Sequence, residues 1–558
     1  MKTNRRDFLQ RAGLLATATG LGSVIPGKTF AATTPEKSEN IILASANSAV
    51  ADTVAGKVRG YIRNTVFTFK GIPYGASTGG ENRFMPSLKP ASWNGVRDCL
   101  VYGPICPQKA NSGWSQQEYG FLYQWIDGYQ EEDCLRLNVW TPAINDGKKR
   151  PVLFWIHGGG FFSGSSQEHP SYDGENLSKL GDVVVVSINH RLNIFGFLDL
   201  SDYGNRYASS ANVGMLDIVT ALEWVRDNIG RFGGDKDNVT IFGQSGGGTK
   251  VTTLMAMPSA KGLFHKAISQ SNSIVQVATH EYATQITGYV LGDLGITRDS
   301  IAELHKIKPS RLLEALSVAE QKMGSKVPAN VGRSGLQPVV DGNILPSHPF
   351  DPEAPAISGN VPFMVGSTRN EASASINNAI VENLDEEGLK KRLNDRFGLK
   401  GSQVYQVLRK VHPNVKPVEI LSFISAQNPM AYLMASRKSA QLVAPVYLYM
   451  FAWHTPVLDG RPRSFHCSEI PFAFANTDRC EHYTGASGEA RILADKVSGA
   501  WLNFARHGNP NHKKLPEWPA FNEKNGATMV FNTRCEVRND PDNEARELLQ
   551  RIFYNKEV

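Results

Sequence analysis

The stretch IFGQSGGGTK, residues 241–250, offers two chemistries. Read from Gly243 it approaches G-x-x-x-x-G-K-[ST], a loop whose backbone amides, lysine and hydroxyl hold nucleotide phosphates and magnesium. Read from the same glycine it is G-x-S-x-G, a sharp strand-to-helix turn that presents a serine hydroxyl as a nucleophile. Residue order decides between them. The phosphate loop needs Lys directly after its last Gly and Ser or Thr after that, but the chain runs Gly248-Thr249-Lys250-Val251. Lys250 comes one place late, ~100° around a helix of 3.6 residues per turn, and Val251 cannot ligate a metal. Ser245 is therefore the candidate nucleophile. A second match, GASTG at 75–79, is followed by no helical run, so Ser77 reads as a loop serine.

A serine nucleophile in acyl transfer needs donors for the oxygen that becomes negative in the tetrahedral intermediate. IHGGGFFSGSS, residues 156–166, follows an apolar run and has the glycine content of such a donor loop. Its natural partner is the backbone N–H after the nucleophile, that of Gly246.

These pieces must be positioned by a sheet. PVLFWIH from 151, DVVVVSIN from 182, NVTIFG from 238, VPFMVGS from 361 and PVYLYMF from 445 are apolar on both faces, as buried parallel strands require. Between them lie helical patterns. The clearest has Met215, Ile218, Val219, Leu222, Val225 and Ile229 on one stripe. GGGTKVTTLMAM continues the elbow as a helix until Pro258. The alternation predicts a doubly wound α/β fold, with helical insertions at about 280–445. No repeat or linker divides residues 51–558, which read as a single domain.

The N-terminus carries a different signal. MKTNRRDFLQ has the paired Arg5 and Arg6 followed by Phe8 and Leu9, then a weakly apolar stretch and the small residues Thr29 and Ala31. Residues 1–31 resemble a bacterial twin-arginine export signal. They imply use of that machinery and a periplasmic or secreted protein, with 32–50 as a loosely ordered lead. Five of the 59 basic and one of the 53 acidic side chains fall in residues 1–31, so the formal charge of +6 belongs mostly to the signal. No basic block suits a nucleic acid, and no run is long and apolar enough for a membrane span.

Five ordered segments carry a family resemblance: EEDCLRLNVWTP (131–142), HGGGFFSGSS, NHRLNIFGFL (189–198), FGGDKDNVTIFGQSGGG and MPSAKGLFHKAISQS (257–271). Over residues 55–540 the chain is similar to the type-B carboxylesterase family, which takes in cholinesterases and bacterial para-nitrobenzyl esterases. The resemblance implies an α/β-hydrolase fold and ester hydrolysis through an acyl-enzyme, with no metal or cofactor. It implies Glu371, in VGSTRNEAS, as the acid of a Ser-Glu-His triad. Six histidines follow Glu371, and His454, just after an apolar strand, competes on the residues alone; the resemblance prefers His466 in FHCSEIPFAF. By family position Gly159, Gly160 and Gly246 supply the oxyanion hole.

The resemblance also pairs Cys134 with an upstream cysteine, Cys106 matching better than Cys99; Cys467, Cys480 and Cys535 stay unassigned. No C-x-x-C pair exists, so a zinc site is not expected. Two departures stand out. Gln244 occupies a position often held by Glu, which disfavours a cationic substrate, and Gly246 replaces a frequent Ala. Non-catalytic relatives on this fold usually lack a triad member, whereas all three positions are filled here. An amidase or thioesterase would use the same machinery. The aromatic-rich stretch 120–129 borders the site entrance or is simply packed surface.

Overall fold

The computed structural model describes residues 41–109, 114–324 and 335–554. The export-signal reading of residues 1–31 lies outside them. Twelve strands form the main sheet: β1 (Ile42–Leu43), β2 (Tyr61–Arg63), β3 (Val66–Pro73), β4 (Arg136–Thr141), β5 (Arg150–Ile156), β6 (Val184–Ile188), β7 (Gly234–Gln244), β8 (Lys266–Gln270), β9 (Phe363–Thr368), β10 (Val446–Phe451), β11 (Ala527–Phe531) and β12 (Glu536–Asn539). Their spatial order is β1-β2-β3-β4-β6-β5-β7-β8-β9-β10-β11-β12. From β6 through β11 every neighbouring pair is parallel, and the flanking pairs are antiparallel.

All five apolar runs form strands of this parallel core. The sequence reading misses β8, KAISQ, because Lys266, Ser269 and Gln270 break the apolar pattern, yet all five residues are buried. Their polar atoms have partners on other segments: the Ser269 hydroxyl donates to the Gly248 carbonyl at 3.1 Å, Lys266 bonds Asn238, and the Gln270 side chain meets Glu469 and Trp501 at 3.2 Å each. Burial is tolerable because partners exist.

The apolar stripe at 215–229 forms α1 (Val213–Asn228), and the elbow continues as α2 (Gly246–Ala256), every residue of which is buried. The 280–445 region contains helices His280–Leu294, Pro309–Met323, Glu386–Phe397, Gly401–Val411, Pro417–Phe423 and Gln427–Ser439. The core strand β9 runs between the second and third of these, so the helices form two separate excursions. The chain is also ordered earlier than the loose lead suggests. Ile42 and Leu43 pair with Ile62 and Arg63 through backbone bonds while their side chains stay exposed, and a ladder made without burial leaves no apolar pattern to read. Among the described residues no helix is long and apolar enough to cross a membrane.

Candidate active site

β7 ends at Gln244 and α2 begins at Gly246. Ser245 between them has φ 57° and ψ −123°, a left-handed conformation that costs a non-glycine residue about 1–3 kcal/mol. Close packing holds it there. A Cβ on Gly243 would stand 2.6 Å from the Ile156 carbonyl oxygen, and one on Gly247 only 2.1 Å from it. The two glycines of G-x-S-x-G thus let the turn press against β5, and the Ser245 N–H donates to Gln270 of β8 at 2.8 Å. Ser77, by contrast, is exposed on a loop.

The HGGG loop leaves β5 beside this turn. Gly159 and Gly160 have φ 74° and 62°. A Cβ at Gly246 would lie 2.4 Å from the N, Cα and O of Gly160, so the methyl of an alanine has no room and the two backbones are in contact. Two devices hold the loop. The Asn193 N–H donates to the Phe161 carbonyl at 2.7 Å and its side-chain amide donates to the Phe162 carbonyl at 3.1 Å; the segment around it is fixed by the fully buried Arg191–Asp217 pair at 2.7 Å. Lys250 is the second device. Its amine donates to the carbonyls of His157 at 3.1 Å and Gly158 at 3.4 Å. Burial lowers its pKa to about 7. The lysine that nearly completes a phosphate loop braces the HGGG loop instead.

Three residues beyond β9, Glu371 accepts the Thr368 N–H on Oε1 at 2.9 Å and hydrogen-bonds Nδ1 of His466 through Oε2. His454 is exposed and faces Glu419 at 3.9 Å. Burial opposes a charge on His466, but nearby negative charge outweighs it and its pKa is raised well above 6.5. Cys467 and Glu371 are the two sources. Burial keeps the Cys467 thiol above its own usual value, so at neutral pH Glu371 is the partner that counts. The Gln244 amide stands 3.3 Å from Nε2 of the same ring, and its oxygen accepts from Cys467 Sγ at 3.3 Å. No hydrogen bond joins Ser245 Oγ to His466 here; such contacts tighten when substrate binds.

Two supports escaped the sequence reading. Tyr123, in the aromatic stretch 120–129, is buried and donates its hydroxyl to the His466 carbonyl at 2.9 Å, so that stretch backs the histidine. Glu469, in the His466 motif, is fully buried and accepts from Gln270 at 3.2 Å. Burial, then the charge of Glu371, raises its carboxyl to about 7.

The six cysteines stand as thiols, and the bridge expected between Cys106 and Cys134 is not formed. The two are nevertheless neighbours: contact with Cys106, then burial, pushes the Cys134 thiol well above its usual range.

A parallel sheet with a serine elbow at a strand's carboxyl end, a glycine donor loop on the adjoining strand and a carboxylate-paired histidine define the α/β-hydrolase fold in its serine-esterase form. Residues 47–548 match the model of the carboxylesterase family, to which the chain belongs. It is 36% identical over 518 residues to the para-nitrobenzyl esterase of Bacillus subtilis, covering 91% of this chain and 99% of that one. To the phenmedipham hydrolase of Pseudarthrobacter oxydans it is 33% identical, covering 88% and 97%. Among solved structures, an esterase from Clostridium hathewayi that can hydrolyze aliphatic aromatic polyesters aligns with a TM-score of 0.78 at 35% identity, covering 93% of this chain and 99% of its own. A Geobacillus stearothermophilus carboxylesterase aligns at 0.75 and 36%, covering 90% and 100%. The protein is a carboxylic ester hydrolase.

Proposed function

We propose that Ser245 attacks the ester carbonyl, His466 takes its proton and returns it to the leaving alcohol, and Glu371 holds the imidazole and stabilises its charged form. Water then repeats the cycle on the acyl-enzyme, and the N–H groups of Gly159, Gly160 and Gly246 receive the oxyanion. The observation that carries this reading is the Glu371–His466 hydrogen bond set against the residue preceding the strained Ser245. Glu371 raises the affinity of His466 for a proton, which suits a base that must become an imidazolium in the transition state.

The substrates are uncharged esters. The position before the nucleophile holds the neutral amide of Gln244, so the floor of the site lacks an anion for a quaternary ammonium group. The polyester-hydrolysing relative makes aryl and alkyl dicarboxylate esters the first substrates to screen.

Residues 1–31 direct the chain to twin-arginine export and a periplasmic or secreted destination, supported by Arg5, Arg6, Phe8 and Leu9. In that oxidising compartment Cys106 and Cys134 join, which their contact supports.

The test is turnover of p-nitrophenyl acetate, butyrate and octanoate by the protein lacking residues 1–31 and by its Ser245→Ala variant. The variant is expected to lose roughly 10⁴–10⁶-fold in kcat. A folded wild type inert on all three esters, or a variant of equal activity, would refute the assignment.

A further inference from the structure

Outside the esterase site, three metal-ligating side chains converge. His169 precedes the turn Pro170–Tyr172, while Cys480 and His482 flank the start of the short helix Glu481–Thr484. One ligand atom from each lies within 4.8 Å of the other two, and the Nε2 atoms of His169 and His482 are 3.3 Å apart. We propose that His169 Nε2, Cys480 Sγ and His482 Nε2 form a binding site for a borderline-soft divalent ion, Zn²⁺ by its donor set.

The geometry fits that ion. Zinc takes imidazole nitrogens at about 2.0–2.1 Å in tetrahedral array, which places two such nitrogens ~3.3 Å apart, the separation already present. A thiolate binds at about 2.3 Å, which places it ~3.6 Å from such a nitrogen, so Cys480 Sγ must close by at most about 1.2 Å. His169 and Cys480 are buried and His482 is half-buried, so the cluster is reached from solvent on the His482 side. A three-ligand site with one open position is an established zinc arrangement.

Protonation suits it as well. Burial, and then His482, keeps His169 well below 6.5, and burial takes His482 to about 4. Both rings are thus neutral at physiological pH, the form that ligates. Nδ1 of His169 accepts the Ser171 N–H at 3.2 Å and lies 2.6 Å from the Ser171 hydroxyl, so the neutral ring holds its proton on Nε2 toward His482, and metal binding moves that proton to Nδ1, where the hydroxyl accepts it. Cys480 is held as a thiol by burial. Binding therefore converts it to thiolate and releases one proton to solvent, with no change of oxidation state.

A chain of ring contacts runs from this cluster through Tyr483 to Phe465, the residue before His466. His169 is 4.8 Å from Tyr483, and Tyr483 is 4.9 Å from Phe465, centroid to centroid. The ion would tie the segment before β6 to the helix Glu481–Thr484 without touching the ester chemistry.

The experiment is titration of chelator-stripped protein with Co²⁺, followed by Zn²⁺. The expected result is one equivalent of cobalt with a thiolate-to-metal charge-transfer band and four-coordinate visible bands, both lost on adding zinc. Cys480→Ser should abolish the charge-transfer band. His482→Ala, which removes the accessible ligand, should weaken binding by more than the ~10–100-fold that loss of an outer-shell partner costs, and it serves alone if the buried cysteine variant does not fold. Ester turnover should not depend on either metal. Absence of the band in wild type, or its persistence at unchanged affinity in His482→Ala, would overturn the proposal.

Discussion

The side-chain amide of Gln244 lies 3.3 Å from Nε2 of His466, beside the nitrogen that exchanges a proton with the nucleophile in the proposed mechanism. With a neutral group there, Glu371 is the one carboxylate among the described residues hydrogen-bonded to the ring. Gln244→Glu would add a second. An anion at that distance raises a histidine pKa by about 1 unit or more. The base must be neutral to act, so the acidic limb of the kcat/KM–pH profile should move upward by that amount. Activity on choline esters should rise relative to p-nitrophenyl esters. An unmoved limb would mean that residue 244 does not face the ring in solution.

Lys250→Met should separate positioning from chemistry. The variant leaves the His157 and Gly158 carbonyls buried without their donor, costing about 1–3 kcal/mol. The displaced donor loop should lower kcat by roughly 10–100-fold with little change in KM. The wild-type lysine is depressed from 10.5 to about 7, so the wild type loses stability as pH falls through that interval. The stability gap to Lys250→Met should narrow over the same range, as denaturant titrations at several pH values would reveal. Equal kcat in the two proteins would remove Lys250 from the positioning role.

Glu469 makes the opposite pH signature. Its folded pKa, about 7 against 4.5, is raised, so its contribution to stability is complete below 4.5 and lost as pH rises through 7. Glu469→Gln keeps an acceptor for Gln270 and cannot ionise. The variant should match wild type at pH 4.5 and exceed it at pH 8–9 by on the order of 3 kcal/mol. Chemical denaturation at the two pH values tests this, and a gain of equal size at both would refute it.

Protein recovered after export should carry a Cys106–Cys134 bridge, visible as a cross-linked peptide in a non-reducing digest. In the chain-entropy model its reduction should cost roughly 3–4 kcal/mol. Free alkylation of both thiols in exported, folded protein would rule the bridge out.

Much of the site was legible because its requirements are local. A strand, a glycine-flanked serine and a following helix are adjacent in sequence, and residue order alone removes the phosphate-loop reading of 241–250. The parallel core was legible where both faces are apolar, as in VVVSI of β6, and illegible in KAISQ of β8, whose polar groups find their partners on other segments, among them Gly248, Asn238 and Glu469. Composition could not choose His466 over His454; the family resemblance preferred it, and in the tertiary structure it is His466 that Glu371 meets. The duties of Lys250 and Tyr123 had no local signature, since each acts on a backbone carbonyl of a distant segment. The His169–Cys480–His482 cluster was hidden for the same reason. Cys-x-His at 480–482 says little until the fold carries His169 to within 3.3 Å of its second imidazole. Sequence determines what lies within a strand, a turn or a helical stripe, because those contacts span a few residues. Which distant side chain fills a given buried contact depends on packing, and only the tertiary structure decides it.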